Sequence, residues 1–192
     1  DDSSSLDIFN NENLLAELQF IKKIKTGEQI SASLHDDKMK EENLRLFLKA
    51  AAAHNRLEHF NLILERYQKL PRVKKARVPG TTLKQNMPFS LIALDQALDE
   101  AYRYRRTPII EQISNMIYDL YPNVRKIVTT AQALRLRDDT LRSTEAAKKF
   151  DKSILESFAS HMKDFREAGL ESIAKMIRLE RLQFIASMHM PK

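Results

Sequence analysis

Apolar residues recur at three- and four-residue intervals along nearly the whole chain, and no stretch keeps the two-residue alternation of a half-buried strand. A clear example runs through Leu57, Phe60, Ile63, Leu64 and Tyr67. Glycine and proline, the residues that interrupt helices, number only 3 and 6 among 192 residues. The pattern therefore predicts an all-α fold.

The breaks in this pattern set the number of helices. The period stops at Gly27, Pro71, Pro122 and Gly169, residue types that end helices or follow their last turn. We expect seven to eight helices. They form either a helical bundle or a short array of helical hairpins with a pair of long helices at the C-terminus.

The expected organisation has three parts. Residues 1–10 are predicted to be disordered or a linker, and residues 11–122 to form a helical-hairpin region. The helices of residues 123–192 are expected to pack on that region, so that the chain forms one domain. Because the chain begins Asp-Asp-Ser-Ser-Ser, without an initiator methionine or the apolar run of a signal peptide, we expect a fragment of a larger protein.

The apolar faces also identify the expected core. In the first helix the predicted inward residues are Leu14, Leu18, Ile21 and Ile24. In the long helix before Gly169 they are Phe150, Ile154, Phe158, Met162 and Phe165. The last helix has apolar residues on two sides, with Leu179 and Leu182 opposite the main stripe. It is therefore expected to lie between other helices or against a further domain.

Positive charge is concentrated in one part of the chain. The net charge is +6, and the window from Arg66 to Leu94 holds seven basic residues and no Asp or Glu. Residues 71–88, in the middle of this window, contain three prolines and one glycine and have no helical or strand period. They are predicted to form a long loop, and loops of this length are usually functional or disordered.

Two groups of cations form the predicted binding site. The loop contributes five, and the end of the following helix contributes three more, interleaved with two tyrosines. The eight residues are Arg72, Lys74, Lys75, Arg77, Lys84, Arg103, Arg105 and Arg106. Clustered cations with adjacent apolar residues suit an acidic protein surface, an anionic membrane or a nucleic-acid backbone. We expect the side chains to project together as one electropositive face.

The sequence predicts no catalytic, cofactor-binding or metal-ligating residue. It has no cysteine, and its five histidines include no pair at the i,i+4 spacing of a helical zinc site. Ser157, His161 and Asp164 follow one another along a single helix, whereas a hydrolase triad is assembled from separate elements beside an oxyanion hole. The three glycines stand alone, so a phosphate-binding glycine loop is not expected.

Two segments share a spacing that resembles the Ala-x3-Gly-x4-Val-x2-Leu core of ankyrin repeats. They are Ala51-x3-Asn55-x4-Phe60-x2-Ile63 and, 50 residues further on, Ala101-x3-Arg105-x4-Ile110-x2-Ile113. The Thr-Pro-Leu-His opening of that family is missing, and residues 123–192 lie outside the resemblance. Joined to Lys-, Asn- and Gln-rich helices, these segments resemble helical modules of effectors that intracellular bacteria inject into host cells. That resemblance implies a host cytosolic target, either a protein or a phosphoinositide.

The leading hypothesis is a non-enzymatic binding module whose basic face engages an acidic protein partner. A membrane carrying phosphoinositides ranks second, because Trp is absent and aromatic residues that insert into lipid are few. Nucleic acid ranks third and is not expected, since no helix sets basic residues beside base-reading Asn or Gln.

Two further classes remain open at this point. An all-helical domain can regulate a small GTPase, as an exchange factor or as an activating protein that supplies an arginine. Alternatively, the last helix packs its second apolar side against another domain of the parent chain. The absence of cysteine and of an apolar run of membrane-spanning length favours a cytoplasmic location, with peripheral membrane association still open. If the effector resemblance holds, that cytoplasm is the host's.

Overall fold

The structure, a computed structural model, describes residues 2–30, 39–70 and 90–189. Within these ranges it contains nine helices and no strand, which confirms the predicted all-α class. The helices are α1 (Asp2–Thr26), α2 (Glu41–Ala53), α3 (Leu57–Gln68), α4 (Ser90–Arg103), α5 (Thr107–Leu120), α6 (Pro122–Leu134), α7 (Asp139–Arg142), α8 (Glu145–Glu167) and α9 (Glu171–His189). The helix beyond the seven to eight expected is α7, a single turn capped by the side chain of Asp138.

The described residues separate into two compact units. The N-terminal unit ends at Ile110 and the C-terminal unit begins at Glu111, so the division falls inside α5. The chain was expected to form one domain, with an internal boundary between residues 122 and 123. Pro122 begins α6 and marks a break between helices, but a division within a continuous helix leaves no such mark in the sequence.

Helix α2 is the centre of the N-terminal unit and packs against α1, α3 and α4. It buries Leu44, Phe47, Leu48, Ala51 and Ala52. Helix α3 buries four of its predicted apolar residues, and the hydroxyl of one of them, Tyr67, donates to Glu41 Oε1 at 2.7 Å. Burial, and then this bond to the Glu41 carboxylate, raises the pKa of Tyr67. The polar end of a buried aromatic side chain is thus satisfied within the core.

Helix α1 differs from its prediction in extent and in orientation. It begins at Asp2 and covers most of the stretch expected to be disordered or a linker. Leu14 and Leu18 were predicted to face the core but are 53% and 54% exposed, whereas Phe20 and Ile24 are buried. The reason is that α1 packs chiefly on one neighbour, α2, where the Phe20 ring stacks on that of Phe47 with centroids 4.2 Å apart. One neighbour covers one narrow face, and the rest of the apolar surface stays open.

Four helices end in the same turn. At Gly27, Asn55, Arg105 and Gly169 the backbone enters the left-handed region, with φ between 55° and 81°. In each case the next amide donates to the carbonyl five residues back, as from Arg56 N to Ala51 O at 2.9 Å. This is the Schellman motif, which satisfies carbonyls that the end of a helix leaves without partners. Asn55 and Arg105 are the turn positions of the two ankyrin-like segments, and the resemblance itself stays a prediction.

Helices α6, α8 and α9 form the core of the C-terminal unit. Helix α9 packs on both of the others, which agrees with one of the two alternatives stated for its two-sided pattern, although Leu182 remains 46% exposed. Phe150, predicted to face the core, is 47% exposed. Its neighbour Asp151 is buried instead, and an ion pair with Arg137 offsets the cost of burying its carboxylate.

Candidate functional site

The predicted binding residues fall into a described and an undescribed group. Arg72, Lys74, Lys75, Arg77 and Lys84 lie outside the described residues, and so does the loop that carries them. Arg103, Arg105 and Arg106 lie at the C-terminal end of α4 and in the turn that follows it. The site is therefore built from this second group and from what the fold places beside it.

Arg103 is balanced by carboxylates of its own helix. Its guanidinium lies 3.2 Å from Asp99 Oδ2 and 3.7 Å from Glu100 Oε1. Both pairs have helical i,i+4 or i,i+3 spacing and the Arg103 side chain is 60% exposed, so they contribute little to stability. They do offset the positive charge, and Arg103 therefore adds little to an electropositive surface.

Arg106 connects two helix ends. It follows the left-handed residue Arg105, and its Nε donates to the carbonyl oxygen of Ala53 at 2.9 Å. Ala53 is the last residue of α2, so this bond joins the turn after α4 to the C-terminus of α2. A cation is favoured there because the carbonyls at a helix C-terminus carry partial negative charge.

Arg56 repeats this arrangement one turn earlier. It follows the left-handed residue Asn55, and it donates from Nε to Ile24 O at 3.1 Å and from Nη2 to Lys25 O at 2.7 Å. Both acceptors belong to the last turns of α1. Arg56 was not among the predicted site residues. Arg56 and Arg106 occupy the same position in the two ankyrin-like segments, one residue after the turn position. That match is the sequence signal that would have identified Arg56.

A histidine completes the connection to α1. His59 Nε2 lies 2.7 Å from the carbonyl oxygen of Glu28, and because a carbonyl only accepts, the proton of this bond is on Nε2. The α1 C-terminal turn is thus held by two side chains from the start of the next hairpin. In this unit the C-terminal ends of α1, α2 and α4 are neighbours, and the turns that follow them form one edge.

His54, the C-cap residue of α2, lies on this edge, and its pKa responds to the charges around it. Burial lowers the pKa of His54, and the positive charges of Lys25, Arg106 and Arg56 lower it further. Three cations from three separate turns are therefore close to one imidazole. We call Lys25, His54, Arg56, Tyr104, Arg105 and Arg106 the turn face.

Counter-charges on the turn face are few. Within the described ranges, Lys25, Arg56, Arg105 and Arg106 form no ion pair with a carboxylate. Glu28 and Glu58 follow the first two turns in the chain and are exposed. Arg105 is exposed, and the Tyr104 ring is 50% exposed beside it. The surface thus combines uncompensated cations with an accessible aromatic side chain.

The C-terminal unit has its own arginine cluster, which the sequence analysis did not identify. Arg137 is paired with Asp151, and Arg135 Nη2 lies 3.2 Å from Glu180 Oε2. Arg142 donates from Nη1 to Ser187 O at 2.6 Å and from Nη2 to Arg135 O at 3.1 Å. These contacts join the ends of α6 and α9 to the start of α8. Two of the cations here have carboxylate partners, unlike those of the turn face.

The remaining candidates for chemistry do not assemble into a site. Over the part of the chain that the structure describes, no three His, Cys, Asp or Glu side chains are grouped as metal ligands would be. Ser157, His161 and Asp164 lie along α8, where burial lowers the pKa of His161 and the Asp164 charge acts in the opposite direction. Among the described helices, none is long and apolar enough to cross a bilayer.

Comparison with known proteins adds no family. No protein-family model matches the chain, and no curated protein or solved structure shows significant similarity to it.

Proposed function

We propose that this chain is a non-enzymatic binding module whose turn face engages an acidic surface of a partner protein. The observation that carries the proposal is the placement of three cations on adjoining turns, where Arg56 is bonded to the carbonyl oxygen of Lys25 and Arg106 to that of Ala53, beside His54. Within the described ranges no carboxylate is paired with them. Uncompensated cations on one edge create a positive potential that attracts an acidic partner and orients it during the encounter.

The bonds that hold the arginines also prepare them for binding. Arg106 donates to the fold through Nε, and its two Nη groups form no hydrogen bond within the described residues. Arg56 uses Nε and Nη2 and keeps Nη1. A guanidinium held in place loses less conformational entropy when it binds a carboxylate than a free surface lysine does.

A protein partner is favoured over a lipid surface by the aromatic component of the site. Tyr104 stands beside Arg105, and tyrosine and arginine are the residue types that contribute most of the energy at protein interfaces. Both side chains are already partly exposed, so no rearrangement of the unit is needed for contact. The proposed partner is therefore a protein segment rich in Asp and Glu.

Charge reversal at one exposed position tests the proposal. Arg105→Glu changes a side chain without a structural bond in the described ranges, and Lys163→Glu on α8, 75% exposed, is its matched control. We expect Arg105→Glu to weaken binding to Asp- and Glu-rich peptides by about tenfold, equivalent to ~1.4 kcal/mol, measured by fluorescence anisotropy. The control should bind as the parent does. Equal affinities for the two variants would contradict the proposal.

The basic segment of residues 72–84 has a separate test. Replacing Arg72, Lys74, Lys75 and Arg77 with alanine is expected to leave the helical circular dichroism unchanged and to weaken binding to the same peptides. Vesicles with and without phosphoinositide form the second arm. Binding to phosphoinositide vesicles but not to peptides would replace the protein-partner proposal with the membrane alternative. The GTPase-regulator alternative stays a prediction, since no described feature favours it.

A further inference from the structure

The outward side of α1 carries a group of exposed leucines. Leu14, Leu15 and Leu18 are 53%, 56% and 54% exposed, on a helix that packs chiefly against α2. Three large apolar side chains within five positions form a continuous stripe on a helix, because residues three and four apart are neighbours. A stripe of this kind is a common mark of an interaction surface.

The stripe is separate from the side of α1 that packs in the unit. The α2 contact uses Phe20 and Ile24, together with the bond from Asn43 to Glu17. At about 100° per residue these three positions lie on one side, and the leucines lie roughly 140° around the helix from them. Covering the leucines therefore requires nothing to be displaced from the core.

The charges along α1 select the occupant. The helix contains Asp2, Asp7, Glu12 and Glu17 in its first part and no cation there. Lys22, Lys23 and Lys25 follow in its last two turns, and Lys22 and Lys25 continue the leucine stripe. A helix that is acidic at one end, apolar in the middle and basic at the other end is complementary to itself when two copies run antiparallel. Antiparallel alignment also sets the two helix dipoles in a favourable arrangement.

We infer that α1 is a self-association surface, on which a second copy of this chain docks its own α1 antiparallel. A two-fold axis beside residue 16 sets Leu14 of one copy against Leu18 of the other. The same register sets position 7 opposite position 25, an acidic residue opposite a lysine. Such an interface is isologous, so every favourable pair occurs twice. The 25-residue helix spans about 37 Å, which gives two helices room for an overlap of several turns.

The oligomeric state of the whole chain tests this inference. Sedimentation equilibrium of the parent from low to high micromolar concentration is expected to show a monomer–dimer equilibrium. Leu14→Gln/Leu18→Gln should raise the dimer dissociation constant by at least about tenfold with unchanged circular dichroism, since both side chains are exposed in the monomer. Leu136→Gln, at an 81% exposed leucine of the other unit, is the control and should leave the equilibrium unchanged.

A charge exchange tests the direction of the two helices. Asp7→Lys alone and Lys25→Asp alone should each weaken the dimer, because like charges then meet at both ends of the interface. The double variant Asp7→Lys/Lys25→Asp should restore it, as only an antiparallel register brings positions 7 and 25 together. A parent that stays monomeric at every concentration, or a leucine variant that dimerises as the parent does, would overturn the inference. Lys25 belongs to both surfaces, so the proposed function is tested at Arg105, which lies outside α1, and peptide binding by Arg105→Glu is measured separately from the dimer equilibrium.

Discussion

Arginine joins helix ends in both units, and the acceptors differ, except that Arg142 of the C-terminal unit also donates to backbone carbonyls. In the N-terminal unit Arg56 and Arg106 donate to backbone carbonyls at the ends of α1 and α2. In the C-terminal unit Arg137 and Arg135 pair with the carboxylates of Asp151 and Glu180. The carbonyls at a helix end amount to about half a negative charge, whereas a carboxylate carries a full one. The first arrangement stabilises the turn and leaves positive charge at the surface, and the second neutralises the charge.

This difference explains why the candidate site lies in the N-terminal unit. A cation that is bonded to helix-end carbonyls and has no carboxylate partner stabilises the fold. It also remains available to bind an acidic ligand. A cation paired inside the C-terminal unit cannot serve a ligand without first breaking its own contact, at the desolvation cost of a buried charge. Each of the following experiments tests one side of this comparison.

The largest loss of stability is expected at the buried ion pair. The Arg137 and Asp151 side chains are 13% and 11% exposed, and Asp151 Oδ1 is buried without a hydrogen-bond partner among the described residues. Arg137→Ala leaves an uncompensated buried carboxylate and should cost about 3–5 kcal/mol of unfolding free energy, measured by urea denaturation. Arg103→Ala, which breaks an exposed pair, is the control and should cost less than about 1 kcal/mol.

A double replacement sharpens that result. In Arg137→Met/Asp151→Leu both charges are removed, so most of the lost stability should return. Comparable losses for Arg137→Ala and Arg103→Ala would mean that the pair in the C-terminal unit is solvated like a surface pair, and the contrast between the units would fail.

The second largest effect is expected at a carbonyl-bound arginine. Arg56→Met keeps the apolar stem of the side chain but removes both bonds to α1, and should cost about 2–3 kcal/mol. Arg56→Lys retains the charge and loses the planar fork that reaches two carbonyls, so it should be intermediate in stability. The same Lys variant should bind acidic peptides more weakly than the parent but more tightly than Arg56→Met, because it keeps the charge and loses the guanidinium that is held in place. Loss of peptide binding with unchanged stability would reverse the two roles that we assign to Arg56.

The sequence predicted the fold class well and the orientation of α1 poorly. The helical spacing of apolar residues and the scarcity of helix-breaking residues are local features of the sequence. The all-α class could therefore be predicted without knowing the tertiary contacts. The buried side of α1 depends on how many neighbours cover it. Leu14 and Leu18 satisfy the helical period as well as Phe20 and Ile24 do, and only the position of α2 distinguishes the two sets.

The candidate site was predicted in part. Arg105 and Arg106 were identified from local charge density, and Arg56 was missed because it stands alone among its neighbours in sequence. Lys25 was not among the predicted site residues, because its position relative to Arg56 and His54 arises from the packing of three helix ends. A charge cluster formed by residues far apart in the sequence cannot be recognised from local composition. The spacing repeated at Asn55 and Arg105, however, indicates that the residues after these two turns occupy equivalent positions.

The turns themselves give a smaller and more local test. Gly27 and Gly169 both have positive φ, but a Cβ at Gly27 would lie 3.2 Å from Cζ and Nη1 of Arg56, whereas one at Gly169 would meet nothing within 4 Å. Gly169→Ala should cost about 1 kcal/mol for backbone strain alone. Gly27→Ala should cost about 2 kcal/mol, because it also displaces the guanidinium from its carbonyls. Equal losses in urea denaturation would show that Arg56 moves aside without losing its bonds.

The smallest expected effect is the pH dependence that the turn face gives to folding. Burial, and then Lys25, Arg106 and Arg56, lower the pKa of His54 below its ordinary value of 6.5. The folded chain then binds this proton more weakly than the unfolded chain, so the stabilising contribution is complete above 6.5. It is lost as the pH falls from 6.5 through the lowered pKa of the folded state.

His54→Gln should therefore reduce the loss of stability on acidification, with unfolding free energies compared above and below pH 6.5. His161→Gln in the C-terminal unit should act in the same direction, since burial lowers the pKa of His161 and the charge of Asp164 offsets only part of that effect. An unchanged pH slope in His54→Gln would mean that the cations around it are screened by solvent. The turn face would then lack the field on which the proposed recognition of an acidic partner depends, whereas a flattened slope would report the combined effect of burial and of the three cations on His54.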